Sequence, residues 1–586
     1  MLLDPVQDYS YDAIHKQFGK GIDVPNDLNW PRHVLDAWTK RQPQQIALQW
    51  VSTDFSREQT LTYAQLSDLS HRAAVSFEQR GIKKGDKVIM VLGRVTEWWI
   101  CLFGLMRIGA VPVPGTSLLV GKDLQYRATS AGAIGFIGDK DSCPKFEEIV
   151  KHTNVKTIWQ VRTHGDSLGQ GRRDVQQDIY SVSEGTKYNG NSDSRSSDLA
   201  LLYFTSGTTG APKQVLLEQE YLIGHTITGL WYNLKPGMLF SNAADLGWAK
   251  AAYSCFGCFN LGASLFVQAP PPGPFTPDTL LKALHKYPIA SMCAPPTMYR
   301  TLVTKAALET VKREPFKALR HCVSAGEPLN ASVITDFQQA TGITIKDAWG
   351  QTETVIMVGN FEGVKVKPGS MGKVAPSFVM GVLDSEGREL PDGEEGQLAV
   401  RSDIGGGSKW IFKGYVKEGK IDKRRINVNQ KEWYLTGDRG SRDNEGYFTF
   451  KSRDDDVITS SGYRIGPFEV ESALKLHPAV LESAAVGSPD LQRLEIVKAF
   501  IKLTPEYAQK YKGKSKQEFE ALAAEIQAHF RKVTAPYKVP REIEFRETLP
   551  TTISGKLQRN LLRAEEQERK KDVLDQIRRG GTKSKL

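Results

Sequence analysis

The sequence predicts an α/β protein, with a large N-terminal domain of packed sheets and helices. A hinge joins this to a small α+β C-terminal domain. Three observations carry that reading. The chain has 586 residues, too many for a single hydrophobic core. Short apolar runs ending in small or turn residues alternate with helical intervals, the mark of parallel sheets. Near residue 450 an apolar strand enters a dense charge cluster, and a new alternating unit follows.

Taken in order, "DKVIMVLG" (86–93) reads as a strand, "EWWICLFGLMRIG" (97–109) as a helix and "AVPVPG" (110–115) as extended chain. "LALLYF" (199–204) reads as a buried strand feeding the loop "FTSGTTGAPK". "GASLFVQAP", "IASMCAPP", "HCVSAGEP" and "ITIKDAWG" are further strand candidates. Ligands of such sheets gather at the carboxyl ends of the strands, so the loops after these runs are the places to look. Beyond the charge cluster come a helix near 469–476, strands "ESAAVGSP" and "VKAFIKL", and a charged helix near 516–532. The expected boundary is Arg453 to Asp456. It gives an N-terminal domain over 1–453, a mobile C-terminal domain over 454–565 and a basic tail over 566–586.

The totals exclude several classes. A net charge of +10, from 77 Lys and Arg against 67 Asp and Glu, is a mild excess over this length and reads as solvated surface, not a nucleic-acid footprint. Six cysteines make no disulfide framework. Cys255 and Cys258 form a lone C-x-x-C inside an apolar run and read as small buried residues. The N-terminus lacks a basic start and an apolar core, so no signal peptide is expected. The longest apolar stretch, 251–267, falls short of the ~18 residues of a membrane span. The last residues, Ser584, Lys585 and Leu586, match the peroxisomal address tripeptide, so a peroxisomal matrix location and an import receptor as partner are expected, or the cytosol if the signal is not read.

In "TSGTTGAPK", Gly207 and Gly210 let the backbone approach a ligand. Thr205, Ser206, Thr208 and Thr209 bring hydroxyl donors, and Lys213 brings positive charge. A triphosphate needs such a set. The spacing is not that of the kinase-type G-x-x-x-x-G-K-[ST] loop. The loop with its flanks, "YFTSGTTGAPKQV", resembles the signature of the acyl-adenylate-forming superfamily. "LTYAQL", "SAGEP", "DAWGQTET", "YLTGDRG", "SRDDDVITSSGYRIGPFEVE" and "PTTISGKLQR" resemble its other motifs and follow in order over about residues 30–565. "SGYRIGPFEVE" and "APYKVPREIEF" resemble the medium-chain acyl-CoA synthetases most.

The resemblance implies an ATP-dependent acid–CoA ligase. A carboxylic acid and ATP form acyl-AMP and pyrophosphate; CoA then takes the acyl group and AMP leaves. The chemistry is reasonable, since a carboxylate oxygen leaves poorly until it is tied to AMP, and the step needs alignment and charge neutralisation. ATP and coenzyme A are implied as co-substrates and Mg²⁺ as the metal. By resemblance the 205–213 loop holds the β- and γ-phosphates. Gly326, Glu327, Pro328, Asp347, Ala348, Trp349, Gly350 and Gln351 form the nucleotide site, with Trp349 and the Gly326 segment flanking adenine. Thr352 donates to the α-phosphate and Glu353 holds Mg²⁺, a task for a hard carboxylate. Asp438 accepts the ribose hydroxyls, assisted by Arg453. Lys556 is implied as the catalytic lysine, its ammonium stabilising charge that grows in the transition state. Asp455 matches the hinge aspartate, about which the small domain would turn between half-reactions. Ser461, Gly462, Tyr463 and Arg464 would then face CoA, with Tyr537 and Lys538 near its nucleotide. Leu494 departs from the pattern, since relatives often carry glycine after the arginine that here is Arg493.

Acetate-activating relatives carry a second tryptophan directly after the first; here that position is Gly350. A missing indole would open a channel, so the expected acid is medium-length, branched or aryl, with Trp248 as a further candidate lining residue. The alternatives are a luciferase-like monooxygenase and an adenylation enzyme that loads a carrier protein.

Overall fold

The computed structural model describes residues 6–163, 165–190, 193–205, 212–270, 276–326, 329, 331–417, 419–454, 456–460, 463–491, 493–552 and 556–580, with only the backbone at 464, 576 and 578–580. The chain divides into two units. The first is Met1–Gly381, Val400–Tyr434 and Glu445–Phe448; the second is Val382–Ala399, Leu435–Asn444 and Thr449–Leu586. The second unit therefore takes in segments that precede Arg453. The reason is sheet pairing: the strands Glu395–Arg401, Lys431–Arg442 and Tyr447–Arg453 are successive neighbours, which draws their stretches in the second unit together.

In the first unit, six parallel strands run side by side in the order Ile46–Val51, Ser264–Gln268, Leu239–Asn242, Ile289–Cys293, His321–Ala325 and Ile345–Gly350. Four of these are the apolar runs read from the sequence. One face is covered by Leu280, Leu284, Tyr299, Ile334 and Phe337 from the helices between strands, packed with Met292, Cys322 and Ile345. Buried helices Gln219–Trp231 and Ala249–Asn260 approach so closely that a Cβ on Gly229 would lie 2.2 Å from the Gly257 carbonyl oxygen, so glycine is needed there. Cys255 and Cys258 lie fully buried in the second of these, as read, and burial drives both thiols well above the usual range.

A second parallel sheet contains Val111–Gly115, Lys87–Val91, Gly135–Gly138, Thr157–Gln160 and Arg173–Asp174. Helix Glu97–Ile108 stops at Gly109, whose φ of 81° is left-handed. A third, antiparallel sheet joins Leu199–Thr205, Lys213–Glu218, Gly414–Lys417 and Lys420–Asp422.

The second unit has its own five-stranded sheet: Tyr463–Ile465, Ile458–Ser460, Leu494–Leu503 and Val480–Asp490, with Glu542–Phe545 parallel to Leu494–Leu503. Val470, Leu474, Leu522, Ile526 and Phe530 from helices Pro467–Leu474 and Lys516–Val533 pack with Val497, Ala499 and Ile501. Ser515 and Glu518 form a reciprocal cap that starts the longer helix.

The expected tail from residue 566 meets a different outcome. Residues Arg559–Arg569 and Lys571–Gly580 are helical. Leu562 packs with Ala484, Val486, Phe500 and Leu549. Glu566 is fully buried, accepting from Lys498 Nζ at 2.6 Å and from the Ser488 hydroxyl at 3.1 Å. A carboxylate so placed has to be paired, and composition alone did not reveal its partner 68 residues earlier. Among the described residues no helix is long and apolar enough to cross a membrane.

Candidate nucleotide and catalytic-lysine sites

In the first unit Thr205 and Asp347–Gly350 lie at the carboxyl ends of their strands, and Lys213 at the amino end of its own. Leu199–Thr205 and Lys213–Glu218 pair as a hairpin, with Thr205 opposite Lys213. Ser206, Gly207, Thr208, Thr209 and Gly210 between them lie outside the described residues, as do Glu327 and Pro328.

Lys213 is placed by Tyr415, its Nζ standing 5.2 Å from the ring centroid. The same Tyr415 donates its hydroxyl to Glu353 Oε1. Glu353 is buried, and its carbonyl accepts from the Phe412 N–H at 2.7 Å. The hairpin lysine and the metal-binding carboxylate of the sequence reading thus meet on one tyrosine. Strand Gly414–Lys417 pairs with Lys213–Glu218 and sets Tyr415 opposite Val215. Tyr415 was not singled out in the sequence; it sits in the unassigned "FKGY" stretch.

Residues 351–354 form a tight turn, with the Gln351 N–H donating to Thr354 Oγ1 at 3.1 Å. Tyr434, in the "YLTGDRG" motif, donates to Gln351 Oε1 at 3.0 Å. The Tyr221 hydroxyl reaches the Thr352 carbonyl at 3.2 Å, and Tyr253 reaches the Thr354 carbonyl at 2.7 Å. These tyrosines hold the turn that presents Thr352 and Glu353. Ala348 and Trp349 lie on the strand itself, opposite Gly359 and Val358. Asp347 points inward, where Asn360 Nδ2 donates to it at 2.7 Å. Burial pushes its carboxyl up to about 7. Gly326 has φ +103°, and a Cβ there would lie 2.5 Å from Lys250 Nζ. A cation the sequence reading missed therefore lies over this segment. Its signal was a lone lysine in the first turn of the otherwise apolar helix Ala249–Asn260.

Gly350 does not open a channel. A Cβ there would meet the Val355 carbonyl oxygen at 2.6 Å, Ile356 Cα at 3.2 Å and the Tyr253 hydroxyl at 3.2 Å. The adjoining strand and Tyr253 fill the direction in which a side chain would project. Trp248 is half-buried at the start of helix Ala249–Asn260.

Within the second unit, Asp438 is buried and Arg453 Nε stands 3.9 Å from its Oδ1, so the two ribose candidates come together. Thr551 is bridged to Leu557, and the Gln558 N–H donates to the Pro550 carbonyl at 2.9 Å; residues 553–555 between them lie outside the described residues. The Lys556 N–H donates to Thr552 Oγ1 at 3.1 Å, and its carbonyl accepts from the Thr552 N–H at 2.6 Å. Lys556 is exposed, while Leu557 packs on the core formed by Phe500 and Leu562. Tyr463 and Tyr537, 74 residues apart in sequence, stack with centroids 4.5 Å apart and rings inclined by 18°, both exposed. Lys538 is tied to Glu469, which also takes Lys451 at 2.8 Å. Asp455, Ser461, Gly462 and the Arg464 side chain lie outside the described residues.

The donor set suits Mg²⁺. Among the described residues no three His, Cys, Asp or Glu side chains form a metal cluster. A single buried carboxylate fits an ion that takes its other ligands from phosphates and water.

The profile of AMP-binding enzymes matches residues 35–416, and that of the AMP-binding enzyme C-terminal domain matches residues 469–556. The chain is similar to the mitochondrial acyl-coenzyme A synthetase ACSM3 of Rattus norvegicus, 39% identical over 95% of this chain and 93% of the relative. It is 39% identical to the mitochondrial acyl-coenzyme A synthetase ACSM5 of Homo sapiens, over 93% of this chain and 91% of the relative. Among solved structures, an anthranilate CoA ligase, AuaEII, in complex with anthranoyl-AMP superposes with a TM-score of 0.79 at 27% identity, covering 93% and 98% of the two chains. An acyl-CoA synthetase of Brucella canis gives 0.66 at 32% identity, covering 96% and 98%. The expected peroxisomal location and import receptor are corrected by these relatives, which are named as mitochondrial. The terminal tripeptide lies outside the described residues.

Proposed function

The chain belongs to the AMP-binding enzyme family, among the acyl-coenzyme A synthetases, and from that premise we propose which residues carry its two half-reactions. The reaction is an acid–CoA ligation using ATP, Mg²⁺ and CoA. In the first half, Lys213 steadies the departing pyrophosphate and Thr352 orients the α-phosphate, each held by the tyrosines around it. Glu353 is the residue that would hold Mg²⁺, which when bound neutralises phosphate charge as it is redistributed. Asp438 and Arg453 take the ribose, and Lys556 stabilises charge developing between carboxylate and α-phosphate. The observation that carries this reading is the meeting of Lys213 and Glu353 on Tyr415, residues more than 60 apart in sequence.

In the second half, a turn about Asp455 brings the 461–464 segment toward CoA. The Tyr463–Tyr537 stack supports this, because it unites two residues expected to face CoA on one exposed surface. The domain limits of 1–453 and 454–565 belong to the same proposal, with the hinge between them.

The acid is medium-length, branched or aryl rather than acetate. Support comes from the resemblance of "SGYRIGPFEVE" and "APYKVPREIEF" to medium-chain acyl-CoA synthetases and from similarity to a ligase of an aryl acid. The space at Gly350 does not support it, so the chain-length limit lies elsewhere in the pocket. An acid-dependent pyrophosphate-release screen with CoA tests the reading. Hexanoate, octanoate or benzoate should exceed acetate in kcat/KM; acetate leading would overturn the assignment.

A further inference from the structure

We infer that a cleft of the first unit, lined by none of the residues assigned to the two half-reactions, is a second ligand site that takes an organic phosphate, and that its occupant is felt at Glu353. The second half of this inference rests on the reading of Glu353 as the Mg²⁺ residue.

Residues 420–425 read "KIDKRR", a basic run that no motif explains. With the segment 408–413 the run borders a cavity of about 390 Å³, a size that suits a small-molecule site. Every lining residue belongs to the first unit. Four lining side chains are cations, Lys409, Lys413, Lys423 and Arg425, against two carboxylates, Glu218 and Glu220. Both carboxylates are already engaged. Glu218 Oε1 accepts from Lys413 Nζ at 2.9 Å, and Glu220 Oε1 accepts the Ser196 hydroxyl at 2.6 Å. Lys409 and Lys423 are exposed and make no ion pair among the described residues. Arg425 gives Nη1 to Glu432 Oε2 at 3.2 Å. Its Nε is buried and finds no hydrogen-bond partner among the described residues. In Arg559 the same Nε, with Nη2, grips Glu471 at 2.7 Å each; on Arg425 that edge makes no such bond. A guanidinium N–H left buried without an acceptor is costly, and its fork matches a pair of anionic oxygens.

Two lysines and an arginine fork carry more charge than one carboxylate needs, and suit a phosphate monoester. Lysine serves such a group as a point charge and arginine as a planar fork. The rest of the wall is apolar. Ile411 and Phe412 are buried, while Ile421 is 45% exposed. An inorganic ion would leave that wall wet, whereas an apolar or aromatic body on the phosphate would cover it.

The same wall leads to Glu353. The Phe412 N–H donates to the Glu353 carbonyl at 2.7 Å. The Phe412 ring meets Tyr415 edge-on with centroids 4.7 Å apart, and Tyr434 at 5.7 Å. These tyrosines hold Glu353 Oε1 and Gln351 Oε1. An occupant that packs on Phe412 therefore bears on the turn that presents Glu353, through side chains in direct contact.

The test uses the whole enzyme with its nucleotide site filled by α,β-methylene-ATP, which resists cleavage at the α-phosphate, and phenyl phosphate as the probe. Calorimetry should show a further phenyl phosphate bound. Lys409→Gln, Lys423→Gln and Arg425→Gln should each weaken it about tenfold, the loss of one hydrogen bond to a charged group. Ile421→Ser should weaken phenyl phosphate but not inorganic phosphate. Without the probe, all four variants should keep wild-type pyrophosphate exchange. With it, the Mg²⁺ needed for half-maximal exchange should fall about fivefold in the wild type and stay unchanged in Arg425→Gln. Displacement of the probe by α,β-methylene-ATP, or affinities untouched by the lining substitutions, would overturn the site. Inorganic phosphate binding as tightly as phenyl phosphate would overturn the organic ligand. Binding through these residues with an unchanged Mg²⁺ requirement would overturn the link to Glu353. Glu353→Gln is measured in parallel: if its Mg²⁺ requirement matches the wild type, the metal assignment fails, while the calorimetry still decides the cleft. Should Arg425→Gln not fold, the two exposed lysine variants are read in its place.

Discussion

Two lysines in glycine-containing loops are proposed to serve the same reaction, and the structure surrounds them differently. Lys213 stands at the foot of a sheet hairpin, over the ring of Tyr415, with the buried Glu353 on the far side of that tyrosine. Lys556 is exposed, three residues before a helix whose first turns are tied by ion pairs to Glu471 and Asp456. One lysine stands over a ring beside a sheet, and the other leads into a helix fastened by ion pairs. A group required throughout the nucleotide's stay can be fixed by rigid neighbours, whereas a group needed in one half-reaction has to be carried on a body that can leave. The energetic consequence is that disturbing the first region should appear in chemistry with little loss of fold. Disturbing the support of the second should appear first in stability.

The largest expected effect tests that support. Glu471 is buried and holds Arg559, and removing one partner of a buried pair typically costs about 3–5 kcal/mol because the other charge is left uncompensated. Glu471→Gln should therefore lower unfolding free energy by that order in urea titrations, centred on the second unit. An unchanged midpoint would mean the pair is already well solvated.

Next comes the comparison of the lysines themselves. Lys556→Ala should lower pyrophosphate exchange about 10²- to 10³-fold, the range for losing one preorganised donor to a developing charge, while leaving thioester formation from acyl-AMP largely intact. Lys213→Ala should be milder and should raise KM for ATP, because its proposed partner is the phosphate tail in ground and transition states alike. Equal kcat losses with unchanged KM in both variants would erase the distinction.

The sequence made this contrast only half visible. The parallel strands were legible because apolar runs ending in small residues alternate with helices, and each of those runs is now a strand. Lys213, Glu353, Asp438, Arg453 and Lys556 were legible because their motifs recur at fixed order. What escaped was the support. Tyr415 reaches Glu353 from 62 residues away, and Arg559 reaches Glu471 from 88 residues away; no local period reports such pairs. The same blindness misplaced the tail at residue 566, where the partner of Glu566 lies on a strand far upstream. Gly350 misled for another reason. A glycine read as a gap is occupied by backbone, because an adjoining antiparallel strand crosses the space its Cβ would need.

Tyr415→Phe probes the first region directly. It removes the hydroxyl donated to Glu353 and keeps the ring beneath Lys213. The loss of one hydrogen bond to a carboxylate is worth about 1.5–3 kcal/mol at most, and part of it is regained when Glu353 engages Mg²⁺. The variant should need several-fold more Mg²⁺ for half-maximal exchange or less, with Tm within a few degrees of wild type. A collapse in Tm would place Tyr415 among the supports of the fold and blur the contrast with Lys556.

The smallest effect lies at Leu494, which carries strain rather than support. Its φ is +66°, in the left-handed region, and the residue is 56% exposed, so it gains little burial in return. A non-glycine residue in that conformation costs about 1–2 kcal/mol. Glycine removes the cost but adds freedom to the unfolded chain, which returns about 0.5–1 kcal/mol. Leu494→Gly should therefore raise stability by about 0.5–1 kcal/mol in urea, a net of the two terms. Leu494 opens the strand that pairs with Ser460, beside the segment proposed to face CoA, whereas Glu471 accepts from the Ala485 N–H, opposite Ala499 on the same strand. Exchange should be unaffected, while KM for CoA is free to move. A stability loss would mean that the exposed leucine makes a compensating contact, and that the departure from glycine is a local adaptation of the CoA face.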